Sequence, residues 1–178
     1  MTRGIQIVAV GVLLSACGGG EKAEEPLPSA AAKLQLRSPA FRDGGTIPKR
    51  HTCEGRDLSP PLSWSGMPRR TRQLALLVED PDADRFVHWT VLEIPGGGTR
   101  LQEGRVPPGA METENSFGKR GWTGPCPPDG DRPHRYVFAL YATDADLGLG
   151  ADSSPDEVRA RLAGHSLARG TLTARFGR

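Results

Sequence analysis

Residues 121–141 read GWTGPCPPDGDRPHRYVFALY, which joins an irregular loop to the start of a buried strand. Three glycines and four prolines fall within the first thirteen of these residues. This part is not helical, because proline removes a backbone donor and glycine is costly to order. Residues 136–142 are then all apolar or aromatic. A stiff loop that presents polar side chains is typical of a binding site, and we expect one where His134, Arg135 and Tyr136 begin the strand.

The composition of the chain indicates one domain with many short strands. Its 178 residues suffice for a complete core. The 23 glycines and 16 prolines favour strands and turns over a helical bundle. The 23 basic and 21 acidic residues give a net charge of +2 without a basic run, and we therefore expect no nucleic-acid partner.

The first residues have the pattern of a bacterial lipoprotein signal. Arg3 supplies a positive charge, residues 5–14 are apolar but short for a transmembrane helix, and small residues lead to Cys17. We predict a signal peptide over residues 1–16 and a lipid on Cys17 that anchors the protein to a membrane. An ordinary secretory peptide that happens to contain a cysteine is the alternative.

The residues after this cysteine predict a spacer before the folded domain. Residues 17–33 are rich in Gly, Glu, Pro and Ala and lack periodicity, so we predict a disordered tether, with the domain over residues 34–178. Position 18 is glycine, not the aspartate that retains lipoproteins at the inner membrane in enterobacterial-type sorting. We therefore expect the cell envelope, on the periplasmic side, with the outer membrane slightly favoured.

If Cys17 carries the lipid, two cysteines remain, and they lie in an oxidising compartment. We predict a disulfide between Cys53 and Cys126. Two buried free thiols are the alternative. A metal site is less favoured, because neither cysteine belongs to a CxxC motif or lies beside a close pair of histidines.

Apolar patterns predict a mainly-β domain of two packed antiparallel sheets. The continuous run LALLV at residues 74–78 indicates a strand buried on both faces. The alternating run at residues 88–94 places His88, Thr90, Leu92 and Ile94 on one face of a strand. Further strands are predicted within residues 34–41, 63–66, 136–142 and 167–176, and residues 106–118 are predicted to be a loop.

One short helix is predicted near the carboxyl end of the chain. Ser154 is a favourable N-cap, Pro155 suits the first helical position, and two acidic residues follow. We expect Gly164 to end the helix.

Four features could carry chemistry, and each has a plain structural alternative. The Asp80–Pro81–Asp82 sequence after a buried strand is, by itself, an ordinary turn. His88 at the start of a strand is, by itself, a core histidine. His134 and Tyr136 are two residues apart and share one face, and residues 124–128 form a proline-rich wall. The four histidines are scattered, and no HExxH, GxSxG or P-loop motif is present, so we expect neither a metal nor another cofactor.

Together these segments resemble the phosphatidylethanolamine-binding protein family, also called Raf kinase inhibitor-like. The resemblance rests on DPDAD at residues 80–84, VHW at residues 87–89 and GxxGPxPPxGxxxHRYxF at residues 121–138. The bacterial branch of the family is matched by TCEG at residues 52–55, SPPLSW at residues 59–64 and NSFG at residues 115–118.

The resemblance implies a β-sandwich of antiparallel Greek-key sheets with one or two short helices. It also implies a pocket at one end that binds a small anion such as phosphate, acetate or a phosphorylated head group. The residues that it implies for this pocket are Asp80, His88, Trp122, Gly124, Pro125, Pro127, His134 and Tyr136. Two positions depart from the family pattern: Asp84 stands where proline is usual, and Trp122 stands where tyrosine is common.

The chemistry of such a pocket requires a role for its carboxylate. A carboxylate 4 Å from a bound anion repels it by about 4 kcal/mol at an effective dielectric near 20. We therefore expect Asp80 to orient a histidine, His88 and His134 to donate N–H groups, and Tyr136 to donate its hydroxyl. Backbone N–H groups of the glycine-rich loop could add donors.

We therefore predict a membrane-tethered, non-enzymatic protein that binds a small anion and could modulate an unidentified partner protein. A lipid-anchored envelope protein does not readily meet a cytoplasmic kinase, so kinase inhibition is not carried over from the family. One alternative is an envelope hydrolase that uses His88 or His134 as a base on an ester or phosphoester. The others are an inhibitor of an envelope protease and a structural protein with a vestigial pocket.

Overall fold

The computed structural model describes residues 27–178, which contain nine strands and one α-helix. The strands are β1 (Ala32–Lys33), β2 (Gln35–Arg37), β3 (Leu62–Ser65), β4 (Gln73–Asp80), β5 (Phe86–Pro95), β6 (Arg100–Leu101), β7 (Met111–Glu112), β8 (His134–Thr143) and β9 (Ser166–Phe176). The helix α1 spans Pro155–His165, and two 3-10 turns span Lys49–His51 and Pro81–Ala83. No helix among residues 27–178 is long and apolar enough to cross a membrane.

The strands form two sheets, as the sequence predicted. The larger sheet has the order β1-β9-β8-β4-β5-β7, and the smaller sheet has the order β2-β3-β6. Neighbouring strands run antiparallel except β1, which pairs parallel to β9. The predicted mainly-β sandwich is confirmed, with this one parallel pair as a difference.

The larger sheet is covered on both faces. One face packs against the smaller sheet and carries the main core, which includes Trp64, Val78, Trp89 and Phe138. The other face is covered by the region of α1, with Val158 and Leu162 packed against a second apolar cluster. All residues of β4 after its first are consequently buried, which confirms the strand predicted from LALLV.

The helix begins as predicted and ends one residue later. Ser154 accepts a hydrogen bond from the Glu157 N–H, while the Glu157 carboxylate accepts from the Ser154 N–H at 2.8 Å. This reciprocal pair satisfies two donors that a helix start leaves open. The helix continues through Gly164 to His165, because a single glycine weakens a helix without being sufficient to end it.

Two features of β5 and its surroundings differ from the expectation. Glu93 adopts a left-handed φ of 56° at a register shift between β4 and β5. This bulge reverses the alternation, so Ile94 joins the main core while Leu92 joins the cluster beneath α1. Their predicted common face is therefore wrong. β7, which pairs with β5, lies in the region predicted to be a loop.

The amino-terminal boundary of the domain also differs from the expectation. Leu27 packs against the cluster beneath α1, and the Arg169 guanidinium donates to the Leu27 and Pro28 carbonyls at 3.1 and 2.8 Å. β1 then adds to the edge of the larger sheet. Residues 27–33, predicted to be part of a disordered tether, are thus held on the domain. The signal peptide, Cys17 and the rest of the tether lie outside the described residues.

The predicted disulfide is confirmed. Cys53 and Cys126 are joined with a Cα–Cα distance of 5.5 Å, and both residues are exposed at the surface. The Cys53 N–H also donates to the Pro125 carbonyl at 3.2 Å. The bond therefore fixes the proline-rich loop to the segment that follows the first 3-10 turn, and the alternative of two buried thiols is excluded.

Loss of this disulfide should lower the free energy of unfolding by about 4 kcal/mol, because the bond constrains a long segment of the unfolded chain. The sequence separation of the two cysteines is 73. Urea unfolding of the full chain, with and without reductant, measures the change. A Cys53→Ser, Cys126→Ser variant should unfold at the midpoint of the reduced protein and should not respond to reductant. A variant as stable as the oxidised protein would contradict the prediction.

Candidate functional site

The topology of the larger sheet brings three strand ends together. β4 lies between β5 and β8 and runs antiparallel to both. The carboxyl end of β4, with Asp80, therefore lies beside the amino ends of β5 and β8, which carry His88 and His134. Residues far apart in the chain therefore meet at one end of the sheet, where these strands begin or end. His134 and Asp80, for example, are 54 positions apart.

Asp80 is the centre of this group. Its side chain is buried, and its Oδ2 lies 2.7 Å from His134 Nδ1. Its Oδ1 accepts from the Asp82 N–H at 2.9 Å, and the Tyr136 side chain also hydrogen-bonds to it. Burial raises the pKa of Tyr136 well above its usual range, and the negative charge of Asp80 adds to the increase. Tyr136 is therefore a phenol that donates to Asp80.

His88 is placed by a β-bulge. Val78 pairs with Trp89 and Glu79 pairs with Val87, so His88 is the extra residue on β5. A bulge redirects the local side chain, and the His88 ring lies edge-on to the Tyr136 ring with a centroid distance of 5.1 Å.

Burial keeps His88 neutral. Desolvation lowers the pKa of His88 below its usual 6.5 and outweighs the nearby Thr123 carbonyl and Asp80 charge, which raise it. The His88 Nδ1 lies 2.7 Å from the Thr123 carbonyl. Because a carbonyl only accepts, the ring proton of neutral His88 lies on Nδ1.

The same argument applies to His134 and changes the expected roles. Its Nδ1 faces the Asp80 carboxylate, so the proton of its neutral ring also lies on Nδ1. Each ring has then already used its only N–H, and Nε2 is an acceptor. An anion therefore needs a second proton at this site, on a ring or on the ligand. His134 Nε2 lies 3.8 Å from a carboxylate oxygen of Asp131, an exposed residue.

Asp82 fixes the strand that carries His134. It accepts from the Arg135 backbone N–H at 2.8 Å, and from the Arg135 and Arg132 guanidinium groups at 3.0 Å each. Burial by itself raises the pKa of Asp82, but these hydrogen bonds and charges outweigh it and hold the pKa below its usual value. The turn after β4 is thereby locked to the start of β8, which positions Asp80 against His134.

The proline-rich wall is fixed to neighbouring segments through two of its backbone N–H groups. The Thr123 N–H donates to the His88 carbonyl at 3.1 Å, and the Gly124 N–H donates to the Asp57 carboxylate at 2.8 Å. These two N–H groups already have partners, and the expected donation from the glycine-rich loop stays a prediction for its other amides. A Cβ at Gly124 would lie 2.4 Å from Asp57 Oδ1 and from the His51 carbonyl, so only glycine fits. Pro125 and Pro127 are buried in this wall.

Trp122 packs towards the core. Its ring stacks on Phe138 at a centroid distance of 6.0 Å and meets the edge of Trp89 at 5.7 Å. Its indole N–H is buried and has no hydrogen-bond partner among residues 27–178. Its predicted place in the pocket lining remains a prediction.

The sequence did not single out several residues around these histidines. Phe86 and Phe117 meet edge to face at 4.6 Å, and each lies 5.6 Å from the His88 ring. Phe117 is 42% exposed. Asn115 holds the nearby loops, because its amide donates to the Gly121 carbonyl and its oxygen accepts from the Phe117 N–H, both at 2.9 Å. The NSFG motif at residues 115–118 marked this segment in the sequence, but it did not predict the contacts of Asn115 and Phe117.

The family model for phosphatidylethanolamine-binding protein matches residues 37–177. The chain belongs to the phosphatidylethanolamine-binding protein family. The family resemblance drawn from the sequence is thus confirmed. Asp84, which stands where the family pattern has proline, has a φ of 53°. Proline cannot adopt this φ, so this turn of the chain depends on the departure from the pattern.

Relatives from distant organisms cover most of the chain. A UPF0098 protein of Methanothermobacter thermautotrophicus is 42% identical over 152 residues, which cover 82% of this chain and 99% of the relative. LppC of Mycobacterium tuberculosis, which is named as a lipoprotein, is 39% identical over 165 residues that cover 83% and 80% of the two chains.

Two solved structures share the fold. CT736 of Chlamydia trachomatis, a homologue of phosphatidylethanolamine-binding protein, is 34% identical with a TM-score of 0.77. YbcL of Escherichia coli, a member of the mammalian family, is 32% identical with a TM-score of 0.78. Each comparison covers 83% of this chain and 99% of the solved one.

The lowered pKa of His88 predicts a pH dependence of folding. Below about pH 6.5 the unfolded histidine takes up a proton, while the folded one remains neutral down to its lower pKa. The free energy of unfolding should therefore decrease as the pH falls through this window. His88→Asn keeps a donor for the Thr123 carbonyl and cannot be protonated, so its decrease should be smaller. Urea unfolding between about pH 7 and pH 5 compares the two proteins, and parallel curves would contradict the assignment.

Proposed function

We propose that the protein binds a small anion or phosphorylated head group beside Asp80, His88, His134 and Tyr136. In this proposal a lipid on Cys17 tethers it to a membrane of the cell envelope. The observation that carries the proposal is the hydrogen bond of 2.7 Å between His134 Nδ1 and Asp80. It holds a histidine so that a second proton creates an N–H donor on Nε2 while Asp80 balances the positive charge.

The proposed site binds the anion together with a proton. Asp80 accepts from Tyr136, from His134 and from the Asp82 N–H, so its charge is compensated before a ligand arrives. An anion at His134 Nε2 then completes a chain of charge-assisted hydrogen bonds, which are stronger than neutral ones. Protonated phosphate or a carboxylic acid could equally bring the proton and donate it to Nε2.

The wall of the proposed pocket is rigid before ligand binding. Its loop is fixed by the Cys53–Cys126 disulfide, by Asp57 and by the bonds of Asn115. A site that is ordered in advance loses less entropy on binding. This suits a small ligand that offers few contacts.

The proposed location rests on the sequence and on one relative. The segment that leads to Cys17 has the lipoprotein pattern, and LppC is named as a lipoprotein. The periplasmic side, the slight preference for the outer membrane and the modulation of a partner protein are parts of the proposal that derive from the sequence alone.

Calorimetric titration of the full chain with inorganic phosphate tests the proposal. The affinity should rise as the pH falls from about 8 to about 6, the range in which histidine charges. Titrations in two buffers of different ionisation enthalpy should show proton uptake. His134→Ala should lower the affinity about tenfold or more, because a charge-assisted hydrogen bond contributes about 1.5–3 kcal/mol. His165→Ala, at the end of α1, is the matched control and should bind like the wild type.

Equal affinity at both pH values, without proton uptake, would contradict the proposed roles. The same samples should not turn over generic esters or phosphoesters. Turnover that His134→Ala abolishes would establish the hydrolase alternative instead.

A further inference from the structure

The outward face of the smaller sheet carries a row of three polar side chains. Arg37 on β2 is in register with Ser63 on β3, and Ser63 is in register with Arg100 on β6. All three residues are exposed, while Leu36 and Leu62 turn into the core. Because neighbouring strands are about 4.8 Å apart, the two arginines flank the serine across roughly 10 Å. We call these three residues the arginine row.

A cavity that is largely open to solvent lies over the arginine row. Its volume is about 640 Å³. Besides the row, its lining includes the polar residues Ser38, Gln102 and Glu103 and several apolar ones. The site is distinct from the candidate pocket, because none of its lining residues belongs to the group around Asp80.

The positive charges of the arginine row are not balanced by acidic neighbours. The Arg37 guanidinium donates to the neutral Gln35 amide at 3.1 Å. Arg100 makes no side-chain hydrogen bond or ion pair with residues 27–178. Glu103 is the one acidic residue in the cavity lining, and it pairs with Arg50 at 2.5 Å. The cavity lining therefore holds two guanidinium groups that form no ion pair with residues 27–178, together with a serine hydroxyl.

This combination matches one ligand chemistry. A guanidinium offers a planar fork of donors that fits the oxygens of a phosphoryl group, and a serine hydroxyl adds one donor. Two guanidinium groups match the double negative charge of a phosphate monoester better than the single charge of a carboxylate.

We propose that the arginine row is a second anion site, which binds the phosphoryl group of a phosphate monoester between Arg37 and Arg100. Histidine protonation plays no part in this site, in contrast to the candidate pocket. It therefore binds a permanent dianion equally well across the pH range in which histidine titrates. Because both guanidinium groups are exposed, binding weakens as the salt concentration rises.

The test titrates glycerol 3-phosphate into the full chain carrying His134→Ala, which removes the proposed pocket contribution. Binding is expected in this background, and sulfate, a permanent dianion, should compete equally at about pH 6 and pH 8. Arg100→Gln and Arg37→Gln should each weaken binding about tenfold or more. Arg161→Gln, which removes the same charge from the exposed face of α1, is the matched control and should leave binding unchanged.

The source of the phosphoryl group is distinguished by a second arm with vesicles that contain phosphatidic acid. Binding to vesicles that exceeds binding of glycerol 3-phosphate, and that is lost in Arg37→Gln and Arg100→Gln, assigns the group to a lipid. Binding of glycerol 3-phosphate alone assigns it to a soluble ester.

The proposal is overturned if glycerol 3-phosphate and vesicles both fail to bind. It is equally overturned if the two variants bind like the wild type, or if Arg161→Gln weakens binding as much as they do. Thermal unfolding of each variant verifies that it is folded.

Discussion

The Asp80 carboxylate accepts hydrogen bonds from the His134 ring, the Tyr136 hydroxyl and the Asp82 N–H, and the candidate pocket depends on this convergence. Asp80 is only 2% exposed, and a buried carboxylate without donors would be strongly destabilising. The donors come from β8 and from the turn after β4. The sheet order therefore has to bring these strand ends together before the site can exist.

This arrangement decides what the histidines can offer a ligand. The Nδ1–H of His134 faces Asp80, and the Nδ1–H of His88 faces the Thr123 carbonyl. In the neutral form, each ring thus keeps Nε2 as an acceptor, and the proposed function therefore has an anion bound together with a proton. The supporting structure is stiff, because Asp82 locks the start of β8 and the Cys53–Cys126 disulfide locks the opposite wall.

The sequence predicted the parts of the molecule that local chemistry determines. The run LALLV, the capping residue Ser154 and the cysteine pair gave a buried strand, a helix start and a disulfide. The family motifs predicted the sandwich. Four of the residues that they named, Asp80, His88, His134 and Tyr136, lie together at one end of the larger sheet. What could not be predicted depends on long-range pairing. The bulges at His88 and Glu93 arise from the register with β4. The occupied Gly124 amide likewise depends on Asp57, a residue 67 positions away.

Long-range proton–nitrogen correlation spectra of the histidine rings test the central claim most directly, because they show which ring nitrogen carries the proton. Under alkaline conditions, where histidine rings are neutral, His88 and His134 should both carry it on Nδ1. In Asp80→Ala, which removes the acceptor of the His134 Nδ1–H, His134 should lose this preference while His88 keeps it, because His88 Nδ1 faces a backbone carbonyl. A His134 ring protonated on Nε2 in the wild type, or one unchanged in Asp80→Ala, would contradict the account.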